Sequence, residues 1–286
     1  MKLFDRYMWM GLQNKIAALL QTKTHITKEN EFEISDLDNT TVILTVWKRN
    51  YLAEQLKNLL NQTEKPFQIW ICHYEDHINI DWVKKKYPEI NIIKSCINLK
   101  YFGRFAVGQF VKSNYIWILD DDVIPSINWL KNSKKICQEE NAIVSGAGRI
   151  IPDGDYMPER MSNIDKYFFG DVTPNYLHNF CDSDTVVDFG CNGWFFKTEW
   201  IKNFWRIPPI TLDIAEDMHL SATCKLLHGI KTIVPKQTDI DTSGNLNITY
   251  GRDEFASWLK PGFIEQREKV IRYLIQEKNW KPILWK

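Results

Sequence analysis

Long apolar runs are missing from this sequence. The longest candidates are short stretches such as Tyr115–Leu119, whereas a membrane-spanning helix needs roughly 18 apolar residues. The start of the chain also lacks the uninterrupted apolar region of a signal peptide, because Asp5 and the polar residues 13–15 interrupt it. We therefore expect no transmembrane segment and a cytoplasmic location. Peripheral membrane attachment is an alternative, and a luminal location is expected only if the chain is a fragment.

Net charge and paired cysteines are missing as well. Lys and Arg total 36 and so do Asp and Glu, so no basic field would hold a polyanion and we expect no nucleic-acid partner. The 6 cysteines show no CxxC spacing, which disfavours a zinc site and a disulfide-stabilised scaffold. Apolar side chains make up 44% of the 286 residues, enough for a substantial core.

Two regions differ in their patterning. Residues 1–39 combine an amphipathic helical pattern over residues 3–20 with a polar connector. Residues 40–286 alternate short β-branched runs with helical segments, which predicts one α/β domain with a C-terminal lid and helix. Thr238–Asn247 is rich in small polar residues and is the candidate for a mobile lid.

The alternation of strands and helices predicts a mostly parallel sheet with helices on both faces. A polar and aromatic stretch over residues 152–184 predicts a long loop, which in compact domains usually serves function. We expect strands at 41–46, 67–72, 90–96, 115–119, 142–145, 186–190, 193–197 and 230–234, and helices near 50–60, 81–87, 102–111, 126–140 and 213–229.

Three adjacent carboxylates, Asp120–Asp122, directly follow the apolar strand Tyr115–Leu119. Their mutual repulsion needs a counter-charge, and oxygen-only ligands suit Mg²⁺ or Mn²⁺. Open α/β sheets bind ligands at the carboxyl ends of their strands. The triplet therefore predicts a divalent metal site; a solvated acidic turn that caps the next helix is the alternative.

A second acidic group opens the helix expected at 213–229. Asp213 and Glu216 fit a capping box, which would leave Asp217 in the first turn, where the helix dipole favours an ionised carboxylate. Such a group is a candidate general base. Alternatively, Asp217 only stabilises the start of the helix.

Together these features resemble the GT-A glycosyltransferases, and those of family 2 in particular. The resemblance rests on Thr45–Asn50 after the first strand, the triplet Asp120–Asp122, and Glu216–Ser221, and it spans residues 40–235. It implies the GT-A fold, a Rossmann-like α/β domain. The triplet, the segment Gly190–Phe196 and the Glu-Asp pair also resemble exostosin-like transferases, which retain the anomeric configuration of the donor.

The resemblance to family 2 implies roles for the acidic residues. Asp120 would contact the ribose of a nucleotide, with Asp121 beside it, and Asp122 would bind the metal that bridges the diphosphate, with Asp120 close by. Asp217 would deprotonate the acceptor hydroxyl, and Glu216 joins it as a catalytic candidate.

Further donor-binding candidates come from other segments. Arg104 and Arg252 would bring positive charge to the diphosphate. The chain departs from the family pattern at Cys72–His77, where an Asp-Gly-Ser-like turn is usual, but Glu75 or Asp76 would still meet the nucleobase.

Aromatic residues are the candidates for stacking on sugar rings. Among the 12 tryptophans, Trp194 and Trp258 are expected to do so, because one lies in a glycine-broken strand and the other follows the lid. His219 and His228 are expected to pack or form hydrogen bonds rather than to bind the metal.

The resemblance thus implies a metal-dependent glycosyltransferase of the hexosyltransferase class. It would move a sugar from a nucleotide-diphosphate donor, a UDP-sugar in preference to a GDP- or dTDP-sugar, to a hydroxyl of a glycan or glycoconjugate. Inversion of configuration is expected, and retention is the alternative. A non-catalytic carbohydrate-binding protein and a metal-dependent phosphoryl-transfer enzyme are alternatives from other classes.

Overall fold

The computed structural model describes residues 39–156, 167–170, 181–247 and 253–286. The chain divides into two units, residues 1–37 and 38–286, and every described residue belongs to the second unit. The helix expected over residues 3–20 and the candidate Arg252 therefore lie outside the described residues.

One mixed sheet contains the nine described strands, in the spatial order β3-β2-β1-β4-β8-β5-β9-β7, with β6 paired to β5. The strands are β1 Thr40–Val46, β2 Gln68–Tyr74, β3 Asn91–Ser95, β4 Tyr115–Leu119, β5 Ile143–Arg149, β6 Phe168–Gly170, β7 Thr185–Val187, β8 Phe189–Lys197 and β9 Thr232–Val234.

Seven α-helices connect or cover these strands within the described residues. They are α1 Leu52–Leu60, α2 Asp81–Lys86, α3 Lys100–Gly108, α4 Trp129–Glu140, α5 Ile201–Arg206, α6 Glu216–His228 and α7 Phe263–Arg272. No described helix has the length and apolar character that crossing a membrane requires.

The amino-terminal half of the sheet is parallel, as its apolar strands predict. β1 pairs in parallel with β2 and β4, and β2 with β3. Val42–Leu44 and Ile116–Ile118 are completely buried, because helices of the crossovers cover both faces of the sheet. All four strands consequently end at the same edge.

The other half of the sheet departs from the expected parallel arrangement. β8 lies between β4 and β5 and runs antiparallel to both, and β6 and β7 also form antiparallel pairs. Antiparallel pairing places the start of β8 beside the end of β4, where Gly193 lies opposite Leu119. This arrangement brings the glycine-rich start of β8 to the aspartate triplet.

A second hydrophobic cluster supports α6 from the side away from the parallel strands. It joins Phe189 of β8, Met218 and Ala222 of α6, and Ile271 of α7. Through this cluster the C-terminal helix packs against the acidic start of α6.

Candidate active site

The aspartate triplet forms the loop at the carboxyl end of β4, and neighbouring elements hold its backbone. Gln55 of α1 donates from Nε2 to the carbonyl oxygens of Asp120 and Val123, both at 2.8 Å. The N–H of Asp120 donates to the carbonyl of Asn192 in β8 at 3.0 Å. The positions of the three carboxylates are therefore set by elements far apart in sequence.

Part of the expected lid belongs to this support. Asn247 donates from Nδ2 to the carbonyl of Asp122 at 2.7 Å, and Asn245 Oδ1 accepts from the N–H of Ile124 at 3.0 Å. Ser243 and Asn245 are completely buried. Small polar residues here bind backbone groups instead of solvent, so the lid is packed over residues 243–247, whereas residues 238–241 are exposed. Motion of the lid on donor binding stays a prediction.

Two arginines contact the triplet and offset part of its negative charge. Arg104 of α3 donates from Nη1 to Asp120 and from Nη2 to Glu216 at 2.8 Å. Arg49, in the loop after β1, has its Nη1 at 2.7 Å from Asp121 Oδ1 and 3.3 Å from Asp122 Oδ2. These guanidinium groups offset part of the negative charge of the triplet, and metal binding there stays a prediction.

Helix α6 begins later than expected. Its first residue is Glu216, and Ala215 precedes it with a φ of 65°, so the helix cannot extend back to Asp213. No side chain caps it; Asp213 is exposed and pairs with Lys100. The expected capping box is therefore wrong, and the carboxylate of Glu216 is directed to Arg104 instead.

Asp217 is also paired, to a residue that the sequence analysis did not identify. Arg267 of α7 donates from Nη1 and Nη2 to the two carboxylate oxygens of Asp217, both at 2.9 Å, and both side chains are buried. The guanidinium lies 5.4 Å from the ring centres of Phe189 and Phe263. Asp217 is therefore not surplus to the structure, as the capping argument assumed.

Burial and charge oppose each other in this cluster. Burial raises the pKa of Glu216 to about 7 although Arg104 lowers it, and burial likewise raises the pKa of Asp120. For Arg104 burial lowers the pKa, but the charges of Asp120 and Glu216 outweigh it and the net direction is upward. Glu216 thus titrates near neutral pH while Arg104 stays charged.

The two nucleobase candidates after β2 point to different neighbours. Glu75 accepts from Nε1 of Trp47 at 2.6 Å, and this hydrogen bond lowers the pKa of Glu75. Asp76 instead has its carboxylate 3.3 Å from His73 and 3.7 Å from Lys94. Residues 48–51 and 253–255 line a cleft of about 510 Å³ close to Trp47, so Glu75 is the better placed candidate.

The two tryptophan candidates differ in exposure. Trp194 is 1% exposed, donates to the carbonyl of Gly190 and lies 4.9 Å below the Arg104 guanidinium, so its ring belongs to the core and not to a sugar-binding surface. Trp258 is 58% exposed and stays the candidate for stacking on a sugar. His219 is buried and donates to the carbonyl of Phe204, as packing predicted, and His228 is exposed.

Five residues of this site were not individually predicted from the sequence as site residues: Trp47, Arg49, Gln55, Asn247 and Arg267. Trp47 and Arg49 follow β1, whose end lies beside that of β4, so position after a strand was a usable signal. Arg267 left no such signal, because it is 50 residues from its partner Asp217. Within the described residues, no group of three or more His, Cys, Asp and Glu is arranged to hold a metal ion.

The sheet, with its acidic loop after β4 and the paired carboxylates at the start of α6, is that of a GT-A glycosyltransferase. The sequence profile of "Glycosyl transferase family 2" matches residues 41–205, more than half of the 286 residues. The chain belongs to this family. The glycosyltransferase class is thereby established in preference to the two classes considered as alternatives.

Solved structures show a distant likeness. A crystal structure of TarS residues 1–349 from S. aureus is 14% identical with a TM-score of 0.44, and the match covers 70% of this chain and 58% of that chain. A second S. aureus TarS crystal structure has the same identity and TM-score, with 37% of that chain covered. This chain thus spans less than two thirds of either. No curated protein shows a significant match.

Proposed function

We propose that this chain transfers a sugar from a nucleotide-diphosphate donor to a hydroxyl acceptor, with a divalent metal and with inversion of configuration. The observation that carries the proposal is the bridge made by Arg104, whose guanidinium binds both Asp120 of the triplet and Glu216 at the start of α6. One side chain thereby joins the candidate donor site to the start of α6, where Asp217, the candidate base, follows Glu216.

The triplet suits a divalent cation in the chemistry of its donors. Asp120 and Asp122 provide carboxylate oxygens, which Mg²⁺ and Mn²⁺ prefer, and the loop already attracts a cationic group, Arg49. These two aspartates would hold the metal. When bound, it would neutralise charge that develops on the diphosphate leaving group.

The donor nucleotide would lie along the ends of β1, β2 and β4. Asp120 is proposed for the ribose, with Asp121 beside it, and Glu75, supported by Trp47, for the nucleobase. Arg252 is proposed for the diphosphate. A UDP-sugar is our first choice of donor, ahead of GDP- and dTDP-sugars.

Asp217 is proposed as the base that takes the proton of the acceptor hydroxyl. A carboxylate offers about four acceptor positions, and three are used here, two by Arg267 and one by the N–H of Met218. The remaining position on Oδ2 is available to a hydroxyl. As the new C–O bond forms at the anomeric carbon, the bond to the diphosphate breaks, and Arg267 keeps the carboxylate oriented.

The acceptor is proposed to be a glycan or glycoconjugate that stacks on Trp258. This residue follows Ser257, whose hydroxyl contacts that of Tyr101 in α3. A retaining, exostosin-like reaction is the alternative for the stereochemistry; in that case the carboxylate would orient the substrate without taking the proton.

The test combines binding and product analysis. Thermal unfolding is measured with UDP, GDP and dTDP, with and without Mn²⁺, for the wild type and Asp122→Asn. We expect one nucleotide to raise the melting temperature only with Mn²⁺, and only in the wild type. Stabilisation that survives EDTA would refute the metal role, and proton NMR of the first product that shows the donor's configuration would refute inversion.

A further inference from the structure

Arg49 binds acidic groups from two different segments. Its Nε and Nη2 hold the two carboxylate oxygens of Asp253 at 2.6 and 2.7 Å. Its Nη1 alone contacts the triplet, at Asp121 and Asp122. The Arg49 side chain is only 11% exposed, so these contacts lie largely out of solvent.

The charge of Arg49 cannot be removed by ordinary changes of pH. Burial lowers its pKa, but the hydrogen bond to Asp253 and the charges of Asp121 and Asp122 outweigh burial, and the net direction is upward. A metal ion bound to Asp122 would therefore meet the permanent positive charge of Arg49. It would bind only if the guanidinium moved away.

Arg49 holds its two acidic neighbours with different numbers of bonds. The bond pair to Asp253 uses Nε and Nη2, whereas Nη1 contacts both Asp121 and Asp122. A bidentate pair fixes a guanidinium more firmly than a single contact does. Because the guanidinium is rigid and planar, Nη1 leaves Asp121 and Asp122 only if Arg49 and Asp253 move together, which costs these two contacts and keeps the bidentate pair.

We propose that Arg49 and the divalent cation are alternative partners of Asp122, and that Arg49 is a positioning residue which offsets part of the negative charge of Asp121 and Asp122 when no metal is bound. Metal binding releases Nη1 while Asp253 retains the guanidinium. This inference rests on the metal dependence proposed above. It predicts that Arg49 lowers the affinity of the free protein for metal.

Mn²⁺ affinity without nucleotide is the measurement, made by following the EPR signal of free Mn²⁺ during titration. Arg49→Gln is expected to bind Mn²⁺ roughly tenfold more tightly than the wild type, because the competing charged hydrogen bond is gone. Arg49→Lys should bind with intermediate affinity, since an ammonium group cannot hold Asp253 in a fork. The control, Arg272→Gln, makes the same change in net charge at an exposed residue that pairs with Glu268, and it should leave the affinity unchanged.

The outcomes separate this inference from the function on which it rests. Loss of Mn²⁺ binding in Asp122→Asn would show that the wild type binds the metal through Asp122. If Arg49→Gln then binds Mn²⁺ no more tightly than the wild type, the role of Arg49 is refuted and the metal site stands. If neither the wild type nor Arg49→Gln binds Mn²⁺, both fail. Circular dichroism checks folding, and if Arg49→Gln does not fold, tighter binding by Arg49→Lys than by the wild type is required.

Discussion

Arg104 is the buried cation on which both acidic motifs depend. It is 4% exposed and lies between Asp120, Glu216 and the ring of Trp194. Removing one member of a buried ionic group leaves the others without compensation, which costs far more than an exposed ion pair contributes.

Arg104→Met should therefore lower the free energy of unfolding by about 3–5 kcal/mol. Urea unfolding measures this loss, and the double variant Arg104→Met with Glu216→Gln should recover part of it, because one uncompensated carboxylate is gone. Equal stability of the single variant and the wild type would show that the bridge does not stabilise the fold.

The adjacent carboxylates Glu216 and Asp217 are predicted to differ in function. Asp217→Asn should reduce turnover by roughly 10² or more with little change in nucleotide affinity, since general base catalysis contributes that much. Glu216→Gln should weaken nucleotide binding, because Glu216 acts through Arg104 on Asp120. Steady-state kinetics and calorimetry distinguish the two, and a reversed pattern would assign the base to Glu216.

At the scale of elements, the segment around residues 243–247 supports the acidic loop by close backbone contact. A methyl group on Gly244 would lie 2.7 Å from Cα of Gly146 and 3.1 Å from the ring of Trp129. Residue 244 can approach β5 this closely only because glycine has no side chain. The same segment provides Asn245 and Asn247, which bind the loop after β4.

Gly244→Ala should lower the free energy of unfolding by about 1–3 kcal/mol, because the added methyl group overpacks the contact with β5. It should also weaken Mn²⁺ binding, because the segment that supports the triplet is displaced. Gly146→Ala is the matched control: its methyl group would meet Gly244 at an ordinary 3.6 Å and should be tolerated. Urea unfolding and Mn²⁺ titration provide both readouts. Normal metal binding by a destabilised Gly244→Ala would separate this segment from the site.

The lid prediction also belongs to this scale. We expect proteolysis between Thr238 and Arg252 to be slower with nucleotide and Mn²⁺ than without them. Because Ser243 and Asn245 are buried, early cuts should avoid their neighbourhood. Identical cleavage patterns with and without ligand would count against an ordering of this segment by the donor.

For the whole molecule, the buried His219 makes stability depend on pH. Burial lowers its pKa to about 4 from a usual 6.5, so the folded state prefers the neutral ring. Below pH 6.5 the imidazole of His219 binds a proton in the unfolded chain but not in the folded one. Protonation therefore favours the unfolded state, and the free energy of unfolding decreases as the pH falls from 6.5 towards 4.

His219→Gln should remove this dependence while keeping a donor for the carbonyl of Phe204. Between pH 7.5 and pH 5, the wild type should lose about 2 kcal/mol of unfolding free energy more than the variant. Glu216, whose pKa is raised, changes the free energy of unfolding in the opposite direction. Because both proteins contain Glu216, its effect cancels when one profile is subtracted from the other. Parallel profiles would show that burial does not lower the pKa of His219 in the folded state.

Local patterns determined much of this molecule. The apolar runs predicted β4 at Tyr115–Leu119 as observed and placed β1 and most other strands within a few residues, because strand periodicity and turn residues are local properties. The order of acidic motifs along the chain was sufficient to indicate the glycosyltransferase family. The position of Arg104 before the triplet strand was also visible in sequence, although not its bridging role.

Tertiary structure alone decided the partners of the charges. The antiparallel insertion of β8, the bonds from Arg49 to Asp121, Asp122 and Asp253, and the pairing of Arg267 with Asp217 all join segments that are distant along the chain. Electrostatic and hydrogen-bond energies depend on separation in space, which sequence spacing does not specify. The sequence therefore revealed that three carboxylates needed counter-charge, and only the fold showed which two arginines contact them.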